Sequence, residues 1–173
     1  MHAVQQTSSA TGSRIRFLLG VVAIAVLAVG AGAQEEAGMV KAVRYSSYFV
    51  KNNAGVTKPR EFRVAATRAE FDRLFGFGAV MRAKQPVLPD DHFEKNLVVA
   101  AIHQGKSMTE FTVQSVTAGE GVLRVRYQAK AGPEGSASFS CPLILSVPRG
   151  PWQRVSFVCS GQTPVEVAIP AGP

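Results

Sequence analysis

The sequence predicts an α+β domain, with one short N-terminal helix packed on a mostly antiparallel β-sheet or sandwich. Three observations lead there. "TRAEFDRLFG" (67–76) sets Phe71, Leu74 and Phe75 at i, i+3 and i+4, one helical stripe. From Asn96 onward the chain reads as successive apolar or alternating segments of strand length. Glycine- and proline-bearing clusters separate several of them: "TAGEG" (117–121) as a hairpin turn, "AGPEGSA" (131–137) as a longer one.

Residues 1–33 stand apart from this domain. Arg14 and Arg16 precede "FLLGVVAIAVLAV" (17–29), 13 residues without charge, and Ala31 and Ala33 then occupy A-x-A cleavage positions. That order describes a secretory signal peptide cut between Ala33 and Gln34. The alternative is a retained anchor, because the 17 uncharged residues to Ala33 reach the lower edge of a membrane span. No cysteine at the exit offers a lipid attachment point. The expected product is exported, with no membrane span once the signal is removed.

Removing two of the 19 basic residues and none of the 12 acidic ones leaves residues 34–173 with a net charge of +5. A basic surface favours an acidic partner or an anionic envelope surface. No dense Lys/Arg run interleaved with aromatics is present, which disfavours nucleic acid.

Residues 34–59 form an N-terminal extension: a flexible "QEEAGM", a strand candidate "KAVRYSSYFV" (41–50) and the loop "KNNAGVTKP" (51–59). "REFRVAAT" (60–67) alternates as a half-exposed strand does. Thr67 followed by Glu70 is a capping box opening the helix, and Gly76 sits where a helix ends. Residues 76–93 are an irregular connection long enough to suggest a function. The expected strands then follow at 97–103, 110–117, 122–130, 138–147, 154–158 and 165–169. Cys141 and Cys159 are expected to flank a turn at "VPRGPW" (147–152). In an oxidising compartment they are disulfide candidates, and two buried thiols are the alternative.

Few residues suggest chemistry. "PDDH" (89–92) has neither zinc nor EF-hand spacing and reads as a solvated acidic turn, so no metal is expected. There is no G-x-S-x-G and no H-E-x-x-H, and no cofactor motif. His103 ends the apolar run "LVVAAI", where a packed or hydrogen-bonded histidine is commoner than a base. A spatial triad built on it is not decided by spacing. The expectation is a non-enzymatic chain.

The order "TRAEFDRLF", "FEKNLVVAAIHQG", "FTVQSVTAGEGVLRVRYQA", "PLILSVPRG" and "RVSFV" resembles the C-terminal domain of PrcB-like proteins over about residues 60–170. Glu70, Phe71 and Leu74 match that family's helix, and Phe93, Val98 to Ala100 and Gly105 match its strand and exit. Val147, Pro148 and Arg149 match its late segment. Where the family commonly has T-G-G-Y this chain reads "SMTEF" (107–111), keeping the aromatic as Phe111 but lacking the glycine pair. The resemblance implies a β-rich domain over 60–173 that binds another exported protein and stabilises a secreted protease complex. A loop-borne protease inhibitor, or a structural or small-ligand-binding envelope protein, are the alternatives. Recognition is expected on the 76–93 and 103–111 loops, with Phe77, Met81, His103, Lys106 and Met108 as candidate contacts.

Overall fold

The computed structural model describes residues 38–78 and 87–170. The expected signal segment lies outside the described residues. Nine strands and two short helices follow in chain order: β1 (Gly38–Met39), β2 (Val43–Tyr45), β3 (Tyr48–Val50), β4 (Arg60–Ala65), α1 (Arg68–Leu74), β5 (Phe75–Phe77), α2 (His92–Lys95), β6 (Asn96–Gly119), β7 (Val122–Pro148), β8 (Arg154–Cys159) and β9 (Val165–Ala168). Of the described residues 62% are in strands and 9% in helices, so the α+β expectation is corrected to a mostly β fold. Strands gain because the polar stretches 104–109 and 131–137, which read as loops, continue the ladders on either side of them.

The α1 capping box forms as expected. The Glu70 amide donates to Thr67 Oγ1 at 3.2 Å, and the Glu70 carboxylate accepts from the Thr67 and Ala66 amides. The helix stops at Leu74, one residue sooner than the pattern suggests, because Phe75 leaves it in extended conformation and opens β5. Gly76 therefore lies inside a strand.

One hairpin organises the large sheet. β6 and β7 pair antiparallel from Asn96↔Pro148 to Gly119↔Val122, closed by Glu120 and Gly121, whose φ values are 54° and 72°. Positive φ at both turn positions suits the twist of the arms, and glycine adopts it without penalty. The four expected strands between 97 and 147 are thus two long ones. Register shifts interrupt them between Gly105 and Ser107, Ser107 and Thr109, and Val113 and Ser115. At the first shift β7 spends residues 135–138 opposite Lys106 alone, so "AGPEGSA" is a bulge rather than a reversal.

These shifts divide the sheet into two halves. The first carries β4 and β2 on either side of the early part of β6 and the late part of β7. In the second, β1, the late part of β6, the early part of β7, β8 and β9 lie side by side. Leu97, Val99, Ala101, Leu143, Leu145 and Val147 of the first half meet Leu123, Val125, Tyr127, Val155 and Phe157 of the second in one buried cluster. Phe62 of β4 reaches Phe157 of β8 across it, ring centroids 4.9 Å apart. On the opposite face of the first half, Val98, Ala100, Ile102 and Ile144 pack with Phe71, Leu74, Phe75, Tyr48 and Val50. That strand is buried on both faces, hence its unbroken apolar run; the second half is buried on one face, hence the alternation of "VLRVRYQ".

The closing strands differ from expectation. Val147 and Trp152 do not start a hairpin: β8 runs parallel to Val122–Tyr127, making the sheet mixed. Cys159 thereby lies beside Tyr127, whereas Cys141 lies beside His103, and the two are separate buried thiols. The disulfide expectation is corrected, because it depended on the hairpin at 147–152. Among the described residues no helix is long and apolar enough to cross a membrane.

Candidate functional site

The surface with the strongest recognition character is the small ribbon of β3 and β5, paired as Tyr48↔Phe77, Phe49↔Gly76 and Val50↔Phe75. Tyr48, Val50 and Phe75 are buried beneath it, and Tyr48 meets the fully buried Phe71 edge-on at 4.9 Å. Phe49 points the other way and is 50% exposed. Its ring covers Gly76 so closely that a Cβ there would come within 2.5 Å, with Gly78 alongside at 3.7 Å. Gly76 thus makes room for an aromatic ring. Phe77, between the two glycines, is 51% exposed and rests edge-on against Tyr48 at 5.6 Å. The Tyr48 hydroxyl accepts the Leu88 amide at 3.0 Å, beside the exposed Val87. The ribbon thus carries one half-exposed aromatic on each face, Phe49 on the outer face and Phe77 on the inner face beside Tyr48. Both are available to bury apolar area against a partner with little ordering of the backbone.

Phe77, expected in the irregular 76–93 connection, instead closes strand β5 and is half-exposed there. Phe49 was not among the sequence candidates, since "YFV" alone does not say which side chain of a strand faces outward. Its signal was Gly76, legible only once β3 is known to pair with β5. Met81 lies outside the described residues.

His103 is directed elsewhere. It belongs to β6, pairs with Arg60 and Cys141, and places Nε2 3.3 Å from the hydroxyl of fully buried Tyr127. Phe111 closes over it edge-on at 5.1 Å. Burial, aided by the Arg60 charge, holds the imidazole below its ordinary range. Burial likewise raises the Tyr127 phenol, as do the neighbouring Cys159 thiol and its hydrogen bond. Both rings are thus favoured in their neutral forms, making a satisfied polar network inside the sheet that favours one register of strands over others. Cys141 joins its edge, its sulfur accepting the Thr109 amide at 3.3 Å.

The 103–111 stretch is strand rather than loop. Lys106 is exposed opposite the β7 bulge, and Met108 is 59% exposed beside Gly132 and Pro133, in a shallow cavity of about 410 Å³. Met108 lines that cavity and Lys106 lies two residues before it on β6, whereas Phe77 belongs to the ribbon and His103 to the interior. "PDDH" splits as well. Asp90 and Asp91 are solvated, Asp90 lying 3.8 Å from Arg68, whereas His92 turns inward against Tyr45 and Phe93 at ring distances of 6.1 and 5.1 Å. Burial chiefly lowers its pKa; Asp91 acts in the opposite sense and Arg68 in the same one.

No family model, curated protein or solved structure matches the chain.

Proposed function

We propose that this chain is an exported, non-enzymatic protein-binding domain that associates with a secreted or envelope protease and stabilises it. The observation carrying the reading is the β3–β5 ribbon, with Phe49 half-exposed on its outer face and Phe77 half-exposed at the edge of its inner face, against buried Tyr48 and Phe71. Large aromatics held outward on a rigid support are enriched at the centres of protein interfaces. The resemblance of "TRAEFDRLF", "LVVAAIHQG" and "VPRG" to PrcB-like domains supplies the class of partner. Export rests on the Arg14–Ala33 segment, and the net charge of +5 over residues 34–173 suits a partner with an acidic surface.

The test is affinity capture from the host's exported fraction with residues 34–173 as bait. Wild type should recover a protease, and Phe49→Ser/Phe77→Asp should lose it. Lys106→Glu/Met108→Asp reports separately on the β7-bulge surface. A protease retained by the ribbon variant and lost by the bulge variant would move the interface; bait recovered alone would reject the reading.

A further inference from the structure

Two of the edge strands of the folded sheet lie close to each other without a ladder between them. β4 pairs only with β6, and β9 only with β8, yet β4 and β9 are neighbours. The Gln104 amide donates to the Pro59 carbonyl at 2.8 Å, which makes 59/104 a hydrogen-bonded pair. Antiparallel pairs alternate, so Glu61 and Arg63 also bond to β6, and the amides and carbonyls of Arg60, Phe62 and Val64 point away from it. The same reasoning applies to β9. The Ile169 amide donates to the Gln153 carbonyl at 2.8 Å, so Val165 and Val167 bond to β8 while Glu166 and Ala168 direct their backbone groups outward. An open groove of about 520 Å³ runs between β4 and β9.

Its walls combine two chemistries. Phe62, Val165 and Val167 supply apolar surface, and Lys58, Arg60 and Arg63 supply positive charge. The one acid of the lining, Glu61, is buried and already committed. It accepts the Thr57 and Lys58 amides, the latter at 3.0 Å, and pairs with Arg63. Glu166 of β9 pairs instead with Arg154 at 3.6 Å. The groove thus offers free strand-edge groups, an apolar floor and uncompensated cations, Lys58 and Arg60 being exposed. Exposed edges of this kind pair readily with an added strand.

We propose that this groove binds an extended acidic peptide segment of a partner, which pairs with the outward edge of β4 and sets its carboxylates against Lys58 and Arg60. The groove shares no residue with the β3–β5 ribbon, so the proposal stands independently of the ribbon's role.

The probe is a fluorescein-labelled octapeptide alternating glutamate with threonine or valine, titrated with residues 34–173 and followed by anisotropy. Controls replace glutamate by lysine, or N-methylate alternate residues in either register. Saturable binding is expected, at least tenfold weaker for the lysine peptide and for Lys58→Glu/Arg60→Glu. N-methylation in one register should weaken it tenfold and in the other register much less. Val165→Arg, which crowds the groove from the β9 side, should also weaken it. Phe49→Ser/Phe77→Asp should bind as wild type does, separating this result from failure of the ribbon interface. Equal binding of all N-methylated peptides would reduce the interaction to charge alone and overturn strand pairing. Absence of binding at millimolar protein, or indifference to both groove variants, would overturn the site.

Discussion

Replacing Arg149 with methionine is expected to destabilise the domain by about 3 kcal/mol. Arg149 follows the last residue of β7 and joins three parts of the chain. Its Nε donates to the Phe93 carbonyl at 3.1 Å, its Nη2 to the Ala66 carbonyl at 2.6 Å, and its backbone amide to the Lys95 carbonyl at 2.8 Å. The side chain therefore ties the entry to α1 and the body of α2 to the sheet. Each hydrogen bond from a charged donor contributes roughly 1.5–3 kcal/mol, and the lower figure applies to a half-buried guanidinium. Methionine keeps much of the apolar stem, so the loss reports the two side-chain bonds rather than packing. Lysine carries one point-like donor group in place of the fork and should recover about half. Urea unfolding followed by far-UV circular dichroism measures both, with an accompanying drop of roughly 10 °C in Tm for methionine. A methionine variant within about 0.5 kcal/mol of wild type, or lysine equal to arginine, would refute the reasoning.

Phe71→Ala should cost about 3–5 kcal/mol in the same assay, and Phe71→Leu under about 2, because the ring is fully buried against Tyr48, Phe75 and Phe93. His92 and His103 are held below 6.5 chiefly by burial, so the unfolded chain binds their protons more readily. Stability is then complete above that value and declines as pH falls below it, by up to about 1.4 kcal/mol per pH unit for buried His92 and less for His103. Urea midpoints at pH 7.5 and 5.5 test this, and His92→Phe should flatten the difference; equal wild-type midpoints would contradict it. Thiol titration should find two reactive groups per chain in denaturant without reductant and almost none in the native protein. An absence of thiols in denaturant would mean that Cys141 and Cys159 pair after all.

What the sequence disclosed follows from how locally each feature is determined. The capping box of Thr67 and Glu70 needs only four consecutive residues and was legible in full. The turn at Glu120 and Gly121 was legible for the same reason. Residues 104–109 and 131–137 gave no strand signal because, near the β7 bulge, both faces of the hairpin meet water and nothing selects alternating apolar side chains. The parallel seat of β8 beside Val122–Tyr127 depends on how the whole sheet folds over, which no short window of residues encodes. That distant placement also decided the cysteines. At the candidate site Phe77 was legible only as an aromatic between glycines, its place in β5 was not, and Phe49 became visible only through its pairing with Gly76. His103 was correctly placed at the end of an apolar run, but its partner Tyr127 lies on the other arm of the hairpin.

The ribbon of Phe49 and Phe77 is proposed to hold a protease and prolong its activity. The most direct measurement is the decay of activity of the captured protease at 37 °C, alone, with wild-type domain and with Phe49→Ser/Phe77→Asp. A several-fold longer half-life with wild type, absent with the variant, is the predicted result. An immediate fall in activity on adding the wild type would make the domain an inhibitor, and an unchanged half-life would contradict the account.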